Sequence, residues 1–208
     1  VLSDINSGVI NLLTIVRDQP KALVSKLSQI EYSYTSFKKA IALSYAFLDP
    51  LDQAVNDYTL FRMSRNGQQR AFCWSARKRG NQPSEVNAWI TSIPNIYKVA
   101  ERLQGVEIIC CSFEATLIKN QGFVYCNPPV ALIELQRAKL KKLLYNRQAM
   151  VTTTPNPIYA ELFRDWKLDV HEFAGPVYTA SWYNYSLASN DVSAKDNRSD
   201  DVSCPAKG

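Results

Sequence analysis

The chain has 208 residues, a formal net charge of +5 and a pI near 8.9, with 46% hydrophobic and 21% charged residues. That length and balance suit a soluble globular protein with a core of its own. No apolar run reaches the roughly 18 residues of a spanning helix, and an odd count of scattered cysteines suits the cytoplasm, where thiols stay reduced. The five cysteines (73, 110, 111, 126 and 204) and single histidine, His171, lack the paired spacing of a zinc site, and no metal is expected. Cys110 and Cys126 read as reduced, buried thiols. His171 reads as a plain strand or surface residue, which argues against Ser-His or Cys-His catalysis.

Taken in chain order, "VLSDIN" reads as a short buried strand with Asp4 just past its end. Asn6 or Ser7 can cap the helix that follows, with Val9, Ile10, Leu12, Leu13 and Val16 on its packed side. Pro20 opens a second helix carrying Leu23, Val24, Leu27 and Ile30 at helical spacing. Helices are expected over 36–48 and from Leu51 to Ser64, separated by the Asp49-Pro50 turn. The segment 65–83 has no clear period and reads as loop. Between Arg62 and Arg79 it is strongly basic, with Arg62, Arg65, Arg70, Arg77, Lys78 and Arg79 and no acid among them. A charge run is ordinarily a solvated face. The lack of acids, with Phe72 and Trp74 interleaved, points instead to DNA phosphates.

Pro83-Ser84-Glu85 opens a helix through Trp89 and Ile93, and another runs from 95 to 103. Trp89, Trp166, Tyr58 and Phe61 read as packing residues. "GVEIICCSF" is a strand ending near Ser112, and "GFVYCNPPV" is a second. A basic amphipathic helix follows over 131–147, then the strand "AMVTTT", then a helix from Asn156-Pro157 through Phe163. "KLDVHEF" and "VYTASWYNYS" read as an antiparallel pair. The tail 187–208 is polar and expected to be disordered. This order predicts an α/β core from 1–19 and 105–186, with a helical subdomain over 20–104 inserted in it. Ligands of such sheets bind beyond the carboxyl ends of the strands. Asp4, Ser112-Phe113 and Asn127 all fall at such ends.

The blocks "SDINSGVINLL", "YTLFRMSRNGQQRAFCWSARKRGNQPSEVNAWI", "VAERLQGVEIICCSFEATL", "FVYCNPPV" and "TTTPNPIYAELFRDW" together resemble the Dam-type, alpha-class DNA adenine methyltransferases, especially their phage and prophage branch. The resemblance spans residues 1 to about 167, and the order of the blocks is more specific than any one of them. It implies a Rossmann-like methyltransferase sheet, S-adenosylmethionine as cofactor, and double-stranded DNA recognised through residues 20–104. Asp4 would bind the cofactor ribose, although an Asp there also suits a helix cap. Ser112 and Phe113 would face the cofactor adenine. Asn127, Pro128, Pro129 and Val130 would form the catalytic tetrad. In that tetrad the Asn127 side chain and the Pro128 carbonyl accept the two hydrogens of the target amine and push its nitrogen toward tetrahedral geometry. The prolines keep both acceptors aimed, and the base leaves the duplex to reach them.

Four features depart from the family pattern. Val130 stands where the family has an aromatic that stacks on the flipped adenine. Ser112 stands where the family has an acid. A glycine-rich loop that precedes the "DIN" block in the family would lie upstream of Val1, so a preceding segment or a larger assembly is implied as a partner. The family's loop of about 20 residues after the tetrad is also shortened. A second reading therefore stands beside the first: a catalytically inactive protein of methyltransferase fold, serving as a DNA-binding or assembly component.

Overall fold

The computed structural model describes residues 1–75, 77–79, 81–128, 134–173 and 177–185. They form a mixed α/β protein of two compact units, Val1–Gln121 and Gly122–Gly208. The expected disordered tail, and Pro129 and Val130 of the tetrad, lie outside the described residues.

The first unit begins with strand β1 (Leu2–Asp4) and helix α1 (Ser7–Asp18). Asn6 is the residue that caps α1, its Oδ1 accepting from the amides of Gly8 and Val9. Helix α2 (Pro20–Leu27) starts on its proline, whose missing N–H costs nothing in the first turn. Helix α3 spans Tyr34–Leu43 under a Ser33 cap. It stops five residues short of the expected end. Position 49 precedes a proline, which disfavours the helical region there, and its carboxylate caps the next helix, α4 (Pro50–Met63). Helices α5 (Ser84–Ser92) and α6 (Asn95–Arg102) lead to strand β4 (Ile108–Cys110).

Between α4 and α5, the stretch expected as loop carries local order. A short 3-10 turn covers Arg65–Gly67, and a two-stranded hairpin joins β2 (Lys78–Arg79) to β3 (Gln82–Pro83). Strands β1 and β4 pair in parallel, with Leu2 opposite Ile108 and Asp4 opposite Cys110. A helix not foreseen from the sequence, α7 (Phe113–Lys119), follows β4 at once.

The core of this unit is built by the helices. Leu23, Leu27, Phe37, Leu60, Met63, Trp89, Ile93 and Ile96 form one buried cluster. Trp89 satisfies its indole N–H on the Ile30 carbonyl at 3.1 Å. Tyr58 and Phe61, expected in the core, are only half-buried. Tyr58 lies at the rim, with its ring 5.7 Å from Trp89 and its hydroxyl donating to Ser92 Oγ.

The second unit is a four-stranded sheet in the order β5-β6-β8-β7. Strands β5 (Val124–Cys126) and β6 (Ala149–Thr153) are parallel, linked through helix α8 (Glu134–Leu144). After helix α9 (Pro157–Leu162), β7 (Lys167–Phe173) and β8 (Val177–Tyr183) form the expected antiparallel pair, and β8 pairs antiparallel with β6. Leu140, Leu144, Val151, Tyr159, Phe163 and Trp182 are buried here. Trp166 is half-buried, its ring 4.6 Å from that of Phe163. His171 is an exposed residue of β7. Among the described residues no helix is long and apolar enough to cross a membrane.

Candidate functional site

Asp4, Ser112 and Phe113 come together at the carboxyl edge of the parallel β1–β4 pair. The register places Asp4 beside Cys110, and the Cys111 amide donates to the Asp4 carbonyl at 3.1 Å. Each strand turns directly into a helix, α1 after Asp4 and α7 after Ser112. The two helix N-termini therefore open at the edge where open α/β sheets bind ligands.

The polar groups at this edge have distinct tasks. Asp4 is exposed and is not the helix cap. Its Oδ1 accepts from the Asn6 amide at 2.8 Å, which fixes the turn into α1. Among the described residues its Oδ2 has no partner, so one carboxylate oxygen is available to a ligand. Ser112 Oγ is the cap of α7, accepting from the Ala115 amide at 3.4 Å. Thr116 on α7 ties the two βα units together through Ser3 Oγ at 2.9 Å and sits 2.9 Å from Cys111 Sγ. Cys110, expected to be buried, is exposed. It ends a strand of three residues, and its thiol approaches the Ile5 carbonyl at 3.7 Å.

A group that the sequence did not reveal lies behind this turn. Asp57 of α4 is only 9% exposed, and among the described residues its Oδ2 has no hydrogen-bond partner. Gln53 donates to the other oxygen at 2.9 Å. A Cβ at position 8 would stand 3.1 Å from Asp57 Oδ2 and 3.3 Å from Asn6 Oδ1, so glycine there permits the close packing of α4 on the start of α1. Burial raises the Asp57 carboxyl above the ordinary aspartate range, and the Gln53 amide opposes that shift. A carboxyl raised in the folded state costs stability once it ionises. The cost is absent below the unfolded value and complete above the folded one. Asp57→Asn, which cannot ionise, is therefore expected to be more stable than the parent at pH 7. In urea titrations the difference from the parent should close as the pH falls toward about 4. A gap that widens on acidification would contradict this assignment.

The basic residues occupy several settings in the first unit. Arg62 is in the last turn of α4 and donates from Nη2 to the Ala88 carbonyl at 3.2 Å, so part of its role is to tie α4 to α5. Arg65 opens the 3-10 turn, and Arg70 lies in the loop beyond it; both are exposed. Exposed Arg77 leads into the hairpin, its carbonyl accepting from the Ser84 amide, and Lys78 and Arg79 form β2. Phe72 is an anchor for this segment. Its ring lies 5.4 Å from Tyr32, 5.8 Å from Tyr34 and 5.7 Å from Phe37. The Tyr32 hydroxyl donates to the Cys73 carbonyl at 2.6 Å, and burial pushes that phenol up to about 12. Trp74 stacks on Phe72 at 6.4 Å and 17° and stays 55% exposed, leaving aromatic surface for a partner.

In the second unit Asn127 and Pro128 follow β5 without a break, with Asn127 exposed and Pro128 half-buried. The Val124 amide is held on the Gln148 carbonyl and Cys126 lies opposite Val151, which fixes the strand that presents them. Burial pushes the Cys126 thiol up to about 11, so it stays protonated and unreactive at neutral pH. The exposed amide of Asn127 is therefore the polar group offered at this strand end.

No family model matches the chain, and no curated protein is significantly similar to it. What the fold defines is a mixed α/β protein whose parallel strands end in Asp4, Ser112-Phe113 and Asn127-Pro128, with a basic loop and hairpin carried on the helical part.

Proposed function

We propose that the chain is a DNA methyltransferase-like protein of the Dam type, built on a Rossmann-like sheet, which directs a methyl group to the exocyclic amine of adenine in double-stranded DNA. The observation that supports this reading best is the carboxyl edge of β1 and β4. There Asp4 keeps one carboxylate oxygen available, and two helices open side by side. A carboxylate so placed fits the ribose hydroxyls of S-adenosylmethionine, which supplies the methyl group when bound. Phe113 adds a half-buried ring beside that edge. Asn127 and the Pro128 carbonyl are the acceptors for the adenine amine. Holding both its hydrogens returns the nitrogen lone pair to the nitrogen, where it can attack.

The second reading, a DNA-binding protein of the same fold without catalysis, is favoured by two features. Ser112 Oγ is spent on capping α7, where the family would offer a carboxylate to the cofactor. Val130, without a flat face for the adenine, weighs the same way.

Both readings place DNA on the basic segment, and the salt dependence of binding tests that part. Each phosphate neutralised contributes about 0.9 to the slope of log affinity against log salt for duplex DNA. Replacing Arg77, Lys78 and Arg79 together with alanine is expected to lower the slope by about 2–3, as measured by fluorescence anisotropy with a labelled duplex. An unchanged slope would assign these side chains to a solvated surface.

A further inference from the structure

We infer that the chain pairs with a second copy of itself through the outer edge of β7, so that two four-stranded sheets join into one. The inference stands apart from the function proposed above. Strand β7 ends the order β5-β6-β8-β7, and among the described residues its only strand partner is β8. Alternate amides and carbonyls along its outer side point away from that partner. Such an edge is a template for another strand.

The edge is long and nothing blunts it. Its register with β8 runs unbroken from Lys167 opposite Tyr183 to Phe173 opposite Val177, so no bulge turns the strand away. The strand contains neither proline nor glycine. The other described strands with a free edge are shorter. Strands β1, β4 and β5 have three residues each, and Pro128 follows β5 two residues after its end. Strands β2 and β3 have two each. On β7, Leu168 and Val170 lie opposite the buried Trp182 and Ala180 in register. They carry the apolar face of the sheet out to its edge, where they are 49% and 55% exposed.

The partner that fits this edge is the same edge. A twofold dimer brings one surface patch against itself. The twofold antiparallel pairing that uses all seven residues is centred on Val170. It sets Val170 opposite Val170 of the second copy, and it sets Asp169 opposite His171 twice. An imidazole N–H can donate to a carboxylate in either charge state of the histidine. Asp169 is half-buried and His171 exposed, on the face opposite to Leu168 and Val170. Moving the centre one residue toward the N-terminus would place Asp169 opposite itself, and like charges directly opposite are unfavourable. Moving it the other way would set Val170 opposite an acidic position, 172. A strand-edge contact is small beside the roughly 1,200–2,000 Å² of a stable interface, so the dimer is weak and depends on concentration.

Sedimentation velocity of the full chain over a range of concentrations tests this. Val170→Lys puts two like charges on the axis, and His171→Asp puts a carboxylate opposite Asp169 twice. The double variant Asp169→Lys/His171→Asp restores opposite charges in the same register. The parent is expected to dimerise as its concentration rises. Each single variant should weaken the dimer by roughly tenfold, because every change acts twice across the axis. The double variant should regain the parent's association. Melting temperatures taken at dilutions where the parent is monomeric should agree, which separates lost pairing from lost folding. A parent that stays monomeric throughout, or a dimer that neither Val170→Lys nor His171→Asp weakens, would overturn the inference. A dimer weakened by His171→Asp and not restored in the double variant would overturn the register.

Discussion

Trp89→Ala is expected to cost the first unit about 3–5 kcal/mol, out of the roughly 5–15 kcal/mol that holds a typical domain folded. Trp89 is 3% exposed and packs between Tyr32, at 6.3 Å, and Tyr58, at 5.7 Å. Truncation leaves a cavity the size of an indole between side chains that cannot all collapse into it. It also leaves the Ile30 carbonyl without its donor, a further cost of about 1–3 kcal/mol where the group is cut off from water. Trp89→Phe separates the two contributions, since it fills much of the space and removes only the N–H. Urea unfolding of the three proteins, followed by circular dichroism, gives the order parent, Trp89→Phe, Trp89→Ala. A loss below about 1 kcal/mol for the alanine variant would be at odds with a packed helical core of this kind.

Asn127→Ala is expected to reduce methyl transfer to adenine by about 10²–10³-fold, the usual effect of removing one preorganised hydrogen-bonding group from a reacting centre. Asn127 is exposed, so its loss should leave the fold and its melting temperature unchanged. The Pro128 carbonyl would remain as the single acceptor, which cannot hold both hydrogens of the amine. Single-turnover transfer from labelled cofactor measures the step directly. Transfer at the parent's rate in the variant would remove Asn127 from the mechanism. Val130→Tyr in the same assay should work in the opposite direction. A flat ring for the flipped base should restore about 1–3 kcal/mol of stacking.

Much of the layout was legible because local chemistry set it. Asn6, Asp49 and Asn156 each cap a helix with a side-chain oxygen, and Pro20, Pro50 and Pro157 occupy first-turn positions that their geometry favours. The antiparallel pair β7–β8 was read from two adjacent strand-like segments, "KLDVHEF" and "VYTASWYNYS". Helix α7 was missed because it is only seven residues long and its start, Ser112, was read as the tail of a strand. Its signals were present in the Ser112 cap and in Glu114 in the first turn. Cys110 was misread as buried because an apolar run in a three-residue strand does not say which face is covered.

The strand-end residues Asp4, Ser112 and Phe113 could be placed from the sequence because strand ends follow from where the apolar runs stop. Asp57 could not. On its own helix it looks like one more polar position, and its burial depends on Gly8 arriving from 49 residues upstream. The left-handed backbone at Gln69 was equally hidden. Its cause is the Ser64 hydroxyl holding the Gln69 amide inside a closed loop, a tertiary arrangement rather than a residue preference.

The most direct measurement is transfer of a labelled methyl group from S-adenosylmethionine to duplex DNA, followed by digestion and identification of the labelled nucleoside. A matched duplex with the 6-amino group of every adenine replaced by hydrogen serves as the control. The account predicts label on the exocyclic nitrogen of adenine in the first duplex and none in the second. Label on cytosine, label in the duplex without amino groups, or no label from a protein that binds the DNA would contradict it.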